Sequence, residues 1–225
     1  MKILSVDRKV KFDGLDITSV SFKDLQTLSD IEQYNYIIVH GGDGAIRRVV
    51  QFFYYNQHNP NFIIDTAGSF NVISKINKLP KMEDVLHKLS NNHDIKKISQ
   101  PIYKLNDEIF LFSAGNMGDL RHILLSETLR FGIIKNGMIK YLISLIYLLP
   151  LFIITTPFEL LSKHRFFIFT PLKIIKKFGN FYGEVVPFRK KLESNHNLIE
   201  LDGDIVVFYH STIKVDLAGS VTLMS

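Results

Sequence analysis

Short apolar runs alternate with helical patterns over residues 1–94. Apolar residues follow one another at Lys2–Val6, Tyr36–Val39 and Asn61–Ile64, which indicates buried strands. Two helices are indicated after the second and third runs, because apolar side chains recur there at every third or fourth position. These positions are Ile46, Val49, Val50 and Phe53, then Met82, Val85, Leu86 and Leu89. Strands and helices in alternation predict a parallel sheet with crossover helices, an α/β arrangement.

The pattern changes near residue 95, where strands begin to follow one another directly. Ile95–Leu105 and Ile109–Phe112 flank a polar turn. Leu198–Leu201 and Ile205–Tyr209 flank Asp202-Gly203, a dipeptide that favours a tight hairpin. The second half is therefore predicted to be antiparallel. We place the boundary so that residues 1–97 form the α/β domain and residues 98–225 form a β-rich domain.

One apolar segment, residues 141–158, interrupts the β-rich domain. It carries no formal charge over about 18 residues, close to the minimum for crossing a bilayer. Three interpretations are open: a buried helix that ends near Pro150 and leads into a core strand, a helix or loop that dips into one leaflet, or a membrane span. Basic residues flank the segment and would suit anionic headgroups. They are Lys135, Lys140, Lys163, Arg165, Lys173, Lys176 and Lys177.

Composition narrows the functional classes. The chain has 225 residues, 46% of them hydrophobic, and a net charge of +5, which favours anionic partners without identifying one. It contains no cysteine, so disulfides and thiolate metal sites are excluded. The charged N-terminus is unlike a signal peptide, and we expect a cytoplasmic protein. No pattern indicates a nucleic-acid partner or an oligomeric state.

The stretch YIIVHGGDGAIRRVV, residues 36–50, holds the candidate chemistry. A glycine turn between a strand and a helix lets backbone N–H groups approach phosphate oxygens, and the helix dipole adds to the attraction. Asp43 stands among Gly41, Gly42 and Gly44 and could bind Mg²⁺, which prefers carboxylates. In the alternative interpretation the turn is only structural, and Asp43 caps the helix that follows. His40 is the histidine nearest to this turn.

Four motifs resemble those of the diacylglycerol kinase catalytic family in the same order. Gly41–Val50 is similar to that family's GGDGT-x-x-E-V-V signature. Phe62–Asn71 resembles its second loop, Phe112–Asp119 its glycine-rich strand end, and Leu201–Asp204 its late Asp-Gly-Glu motif. The family also contains sphingosine kinases and bacterial lipid kinases, and it is related to NAD kinases.

The resemblance implies a nucleotide-binding α/β domain followed by an antiparallel β-sandwich. It also implies transfer of the γ-phosphoryl group of ATP to a lipid hydroxyl. The apolar segment and its flanking lysines lead us to expect that the protein works at the inner face of an anionic membrane. Carried over to this sequence, Asp43 would act with Mg²⁺ and Asp204 would be the general base. The residues that would hold the nucleotide are Gly41, Gly42, Gly44, Gly68, Ser69 and Asn71.

The sequence also departs from the family pattern. Ala45 replaces a threonine, Arg48 an acid, Val72 an aspartate, and Asp204 a glutamate. The first strand also lacks the Asn-Pro loop that holds nucleotide in the family. Two alternatives to an active lipid kinase therefore stay open. One is a homologue that binds lipid or nucleotide without turnover, and the other is a kinase for a soluble substrate in the manner of NAD kinases.

Overall fold

The computed structural model describes residues 1–68, 70–116 and 137–225. These residues form two compact units. The first unit contains Met1–Ile102 together with Gly219–Ser225, and the second contains Tyr103–Ala218. The last seven residues return to the first unit because the final strand of the chain ends there. The predicted α/β domain and antiparallel β-sandwich are both present.

The first unit is built on a parallel sheet. Its strands are β1 (Lys2–Val6), β2 (Asp16–Val20), β3 (Tyr36–Gly41) and β4 (Asn61–Thr66), joined by the end of β14 (Thr212–Met224). The order across the sheet is β2-β1-β3-β4-β14, and every neighbouring pair is parallel. Because the strands are parallel, the carboxyl ends of β1, β3 and β4 lie along one edge.

Helices connect these strands. They are α1 (Phe22–Leu25), a 3₁₀ turn (Ile31–Gln33), α2 (Asp43–Tyr55), α3 (Val72–Asn77) and α4 (Met82–Ser90). The predicted apolar faces of α2 and α4 are confirmed, since all eight positions named above are buried. In α4 these side chains pack with Ile3, Ile38 and Ile63 from the sheet.

The second unit is a sandwich of two sheets. Its elements are β5 (Lys97–Leu105), β6 (Glu108–Phe110), β7 (Ser113–Gly115), α5 (Gly137–Leu161), β8 (Phe167–Phe169), a 3₁₀ turn (Thr170–Leu172), β9 (Lys177–Phe178), β10 (Phe181–Tyr182), β11 (Phe188–Lys191), β12 (Asn197–Leu201), β13 (Asp204–Phe208) and most of β14. One sheet has the order β13-β12-β7-β8-β10-β9, and β5, β6, β11 and β14 belong to the other.

Strands β8 and β10 run parallel, and the pairs β9–β10, β11–β14, β12–β13, β7–β12, β5–β6 and β7–β8 are antiparallel. Side chains of both sheets meet in one core, to which Phe110 and Val215 contribute from one sheet and Ile168 and Ile199 from the other. The two predicted hairpins, β5–β6 and β12–β13, are confirmed.

Helix α5 corrects the interpretation of the apolar segment as a buried helix that ends near Pro150. The helix continues through Pro150 and Pro157 to Leu161, and most of its apolar side chains are exposed. Each proline lacks a backbone N–H and so removes one hydrogen-bond donor from the helix. The stretch Leu142–Leu161 has a mean hydropathy of 1.8 and is long enough to cross a membrane, and 6% of it is buried.

Candidate active site

The glycine turn lies at the carboxyl edge of the parallel sheet. Strand β3 ends at Gly41 and α2 begins at Asp43, so Gly42 is the single residue between them. In the sheet Gly41 is paired with Thr66 at the end of β4. Ligands of open parallel sheets bind outside the carboxyl ends of the strands, so this edge is the natural place for a site.

Two loops touch each other at this edge. A Cβ built on Gly68 would lie 2.5 Å from the Cα of Gly42 and 2.8 Å from Oδ1 of Asn71, so only glycine fits there. The N–H of Gly68 donates to the same Asn71 oxygen at 3.0 Å, and the N–H of Ala67 donates to the carbonyl of Gly41 at 3.0 Å. Gly41 has a φ of 149°, a conformation that favours glycine.

The structure thus brings together most of the first unit's predicted nucleotide-binding residues. Gly41, Gly42, Gly68 and Asn71 meet through the contacts just described, and Gly44 lies in the first turn of α2. Ser69 lies outside the described residues, as do residues 117–119 of the third motif.

Asp43 is held between two helices. Its Oδ2 accepts a hydrogen bond from the N–H of Val72 at 2.8 Å, and its Oδ1 accepts one from the N–H of Ile73 at 3.0 Å. Asp43 therefore caps α3, not the helix α2 that it begins, which corrects the capping alternative. Burial raises the pKa of Asp43, and the bonds from Ile73 and Val72 oppose that shift.

Sequence reasoning missed a charged cluster at the same edge. Oδ2 of Asp65 lies 2.7 Å from Nδ1 of His40 and also bonds to the guanidinium of Arg8. The side chain of Asp65 is 13% exposed, whereas those of Arg8 and His40 are 42% and 32% exposed, so its two partners reach toward solvent. Their positions in the sequence could have indicated this cluster, because each of the three residues stands at or just after the end of a parallel strand.

The fourth motif, Leu201–Asp204, belongs to the second unit. Asp204 begins β13 and is half-buried, and it stands opposite Leu201 in the hairpin. Asp202 is fully buried and accepts hydrogen bonds from the N–H groups of Leu111, Phe112 and Ser113 at 2.6, 2.9 and 2.9 Å. Burial raises the pKa of Asp202 to about 8 against the effect of these donors. Asp202 therefore fixes the hairpin to the start of β7.

The fit to a metal ion rests on Asp43. Among residues 1–68, 70–116 and 137–225 no group of three histidine, aspartate or glutamate side chains could hold an ion by itself. Mg²⁺ in phosphoryl-transfer sites takes one or two carboxylates and fills its other positions with water and phosphate oxygens. Each oxygen of Asp43 accepts one backbone bond here, which leaves lone pairs for such a ligand role.

Comparisons with known proteins agree with this fold. Residues 9–100 match the family model of the diacylglycerol kinase catalytic domain, which confirms the resemblance of the glycine motif. Two structures of a protein from Bacillus anthracis str. Sterne, each named "putative diacylglycerol kinase", superpose with TM-scores of 0.59 and 0.61. Each is 13% identical to this chain, and the superposition covers 99% of this chain and 96% of the other. No curated protein sequence matches.

Proposed function

We propose that this protein is an ATP-dependent lipid kinase, because residues 9–100 match the family model of the diacylglycerol kinase catalytic domain. The acceptor is the hydroxyl of a diacylglycerol-type or related lipid. The hydroxyl oxygen forms a bond to the γ-phosphorus of ATP while the bond between that phosphorus and the β–γ bridging oxygen breaks. ADP leaves, and the hydroxyl proton passes to a carboxylate.

The contact between the two glycine loops carries this proposal. Gly42 and Gly68 approach so closely that a Cβ on Gly68 would lie 2.5 Å from the Gly42 Cα, so the turn presents backbone and no side chain to a ligand. Backbone N–H groups at the start of a helix bind phosphate well, and α2 begins directly after Gly42. Gly41, Gly42, Gly44, Gly68, Ser69 and Asn71 are therefore proposed to hold the nucleotide.

Asp43 is the proposed Mg²⁺ ligand at this turn. Phosphoryl transfer depends mainly on positioning and on neutralising phosphate charge, and a bound Mg²⁺ would supply that neutralisation. The hydrogen bonds from Val72 and Ile73 fix the Asp43 carboxylate, so it needs little reorganisation when a ligand arrives. Asp204 is the proposed general base for the lipid hydroxyl, in the position of the family's glutamate.

The proposed place of action is the cytoplasmic face of a membrane with anionic lipids. A kinase for a water-insoluble alcohol must meet its substrate at a lipid surface. Helix α5, with its mean hydropathy of 1.8 and its mostly exposed apolar side chains, supports this location.

A second candidate is a homologue that binds nucleotide or lipid without turnover. The Asp43–Val72 contact favours it, because the family's aspartate is replaced at Val72 and only the backbone of that residue reaches Asp43. The loss of this acid removes one carboxylate from the neighbourhood of the turn. The two candidates differ in turnover, which an activity measurement separates.

The test is a phosphorylation assay with ATP and Mg²⁺ on a panel of lipid alcohols presented in mixed micelles. We expect phosphate transfer by the wild type and a loss of at least about a hundredfold in Asp43→Asn and Asp204→Asn. Asp94→Asn, an exposed acid between α4 and β5, is the matched control and should keep full activity. Wild-type protein that binds ATP but transfers no phosphate to any lipid would favour the second candidate instead.

A further inference from the structure

Helix α5 has the reverse of the polarity expected for a helix in water. Its most shielded side chains include polar ones, with Lys140 3% and Ser144 1% exposed, and Thr155 and Glu159 half-buried. These four residues recur on one face of the helix. Apart from Thr156, the exposed side chains are apolar instead. They are Ile139, Leu142, Leu145, Ile146, Tyr147, Leu149, Ile153, Ile154, Phe158 and Leu161.

An exposed apolar surface of this size marks an interaction site, since monomers rarely leave such patches in water. Among the shielded polar groups of α5, the hydroxyl of Ser144 donates to the carbonyl of Lys140 at 2.8 Å, whereas Oγ1 of Thr155 is buried without a hydrogen-bond partner among the described residues. Polar groups inward and apolar groups outward is the arrangement expected of a helix that faces lipid.

A second apolar element is the segment Leu172–Phe178, with the sequence LKIIKKF, which we call the LKIIKKF loop. Every residue of this loop is exposed, Ile174 to 97% and Phe178 to 65%. The loop is nevertheless well built. The N–H of Ile175 donates to the carbonyl of Leu172 at 3.1 Å, and the N–H of Gly183 donates to the carbonyl of Ile175 at 3.1 Å. The isoleucines are therefore held outward by an ordered backbone.

Asn180 joins the LKIIKKF loop to the end of α5. Its N–H donates to the carbonyl of Leu160 at 3.0 Å, and its side-chain amide donates to the carbonyl of Glu159 at 3.0 Å. Asn180 is itself buried, with 9% exposure. The loop therefore emerges beside the C-terminal end of the helix, and the two exposed apolar elements are neighbours within the second unit.

We propose that α5 and the LKIIKKF loop form one membrane-docking surface, in which both insert into a single leaflet of a bilayer that contains anionic lipids. Ile174, Ile175 and Phe178 enter the acyl region, and Lys173 and Lys176 contact lipid phosphates. This inference deepens the membrane location in the proposed function, but it does not depend on catalysis.

Strand pairing favours insertion along the membrane surface over a crossing. Strands β7 and β8 precede and follow α5 in the chain, and they are hydrogen-bonded neighbours, with Ser113 opposite Phe169 and Gly115 opposite Phe167. The chain thus returns to the sheet that it left. A helix that crossed the bilayer once would end on the side opposite to its own sheet.

The charges of the loop select the lipid. Two of its lysines, Lys173 and Lys176, are interspersed with the apolar residues Leu172, Ile174 and Ile175. When the isoleucines insert into the acyl region, these lysines lie at the level of the lipid headgroups. Basic residues next to a membrane surface gain about 1 kcal/mol each from anionic lipids. A second copy of this chain carries the same positive charges on this surface and would be repelled by them.

The test is co-sedimentation of the full-length protein with vesicles, in the absence of ATP and Mg²⁺. One vesicle type is phosphatidylcholine alone, and the other is phosphatidylcholine mixed with phosphatidylglycerol. We expect tighter partitioning on the anionic vesicles. Ile174→Glu should weaken it at least about tenfold on both types, whereas Leu217→Glu, a control on a strand with 62% exposure, should leave it unchanged.

The charge contribution is tested by the double variant Lys173→Gln and Lys176→Gln. Its partitioning should fall roughly thirtyfold on anionic vesicles at low salt and hardly change on neutral ones. All these substitutions are at exposed positions, and circular dichroism should show unchanged folding.

Equal binding by Ile174→Glu and Leu217→Glu would overturn the proposal. A dimer in lipid-free buffer that Ile174→Glu dissociates would overturn it as well, in favour of a second copy on this surface. Because no nucleotide is present, failure of the kinase proposal leaves this result unaffected.

Discussion

The contact between Gly42 and Gly68 predicts a specific effect of Gly68→Ala. The new Cβ would lie 2.5 Å from the Gly42 Cα, whereas carbon atoms in favourable contact are about 3.5–4.0 Å apart. It would also lie 2.8 Å from Oδ1 of Asn71, which already accepts the Gly68 N–H. Both neighbours are fixed, one by backbone and one by a hydrogen bond, so the two loops must separate by about 1 Å.

The effect of this separation on stability and on ATP affinity can be estimated. Overpacking by a single methyl group destabilises a protein by about 1–3 kcal/mol. In a chain of this size each kcal/mol lowers the melting temperature by about 2–4 °C, so we expect a decrease of between about 2 and 12 °C. A displacement of about 1 Å in a binding site reduces rates on the order of a hundredfold, and we expect the affinity for ATP to fall at least about tenfold.

The assay is titration with a fluorescent ATP analogue, followed by thermal unfolding of the same samples. Gly14→Ala is the matched control, because a Cβ at Gly14 meets no atom within 4 Å while its φ of 80° still imposes backbone strain. This control should lose about 1–2 kcal/mol of stability and keep its nucleotide affinity. Unchanged ATP affinity in Gly68→Ala would refute the role of the loop contact in nucleotide binding.

Three further substitutions test other contacts. Asp202 has a pKa of about 8 in the fold, above its unfolded value, so the folded state binds the proton more tightly. The protein's free energy of unfolding should then fall between about pH 4 and pH 8, by at most about 1.4 kcal/mol per pH unit. Asp202→Asn should remove this slope in urea titrations, and an equal slope would contradict it. Asp65→Asn should release His40 and weaken ATP binding several-fold. The melting temperature should stay within about 3 °C of the wild type, because such partly exposed pairs contribute little stability. An unchanged ATP affinity would show that this cluster does not contribute to nucleotide binding. The side-chain oxygen of Asn116 accepts a hydrogen bond from the Phe166 N–H at 2.9 Å, and Asn116→Ala removes this acceptor. The free energy of unfolding should fall by about 1–3 kcal/mol. An unchanged free energy of unfolding in urea denaturation would disprove this.

Features set by neighbouring residues could be predicted from the sequence. The apolar spacing of α2 and α4, the glycine turn after β3 and the Asp202-Gly203 hairpin all depend on local chemistry. The hairpin residues have φ values of 49° and 90°, the left-handed conformation that this dipeptide adopts readily. Local patterns thus define most strands and the position of the glycine turn.

Features that join distant parts of the chain could not be predicted in this way. The N–H of Phe112 donates to Asp202 across 90 positions, and the N–H of Ile73 donates to Asp43 across 30. Only the fold determines that these acids cap backbone groups elsewhere. For α5 the spacing was ambiguous for another reason, because an apolar run around the whole helix does not reveal whether core or lipid covers it.

The proposed nucleotide site lacks the family's first nucleotide loop, and the contacts around the glycine turn order the part of the site that is present. Asp43 binds the N-terminus of α3, and the N–H of Ala67 binds the Gly41 carbonyl, so both contacts connect the turn to the neighbouring loop. The bond from Gly68 to Asn71 orders that loop itself. A ligand that meets an already ordered site does not have to order it, which offsets the loss of contacts elsewhere. Val72 is compatible with this arrangement because its backbone N–H, not its side chain, binds Asp43.

If ATP affinity depends on such pre-organisation, Asp43→Asn should weaken nucleotide binding even without Mg²⁺, since an amide cannot accept both backbone bonds. A loss that appears only when Mg²⁺ is present would limit Asp43 to a metal-ligand role.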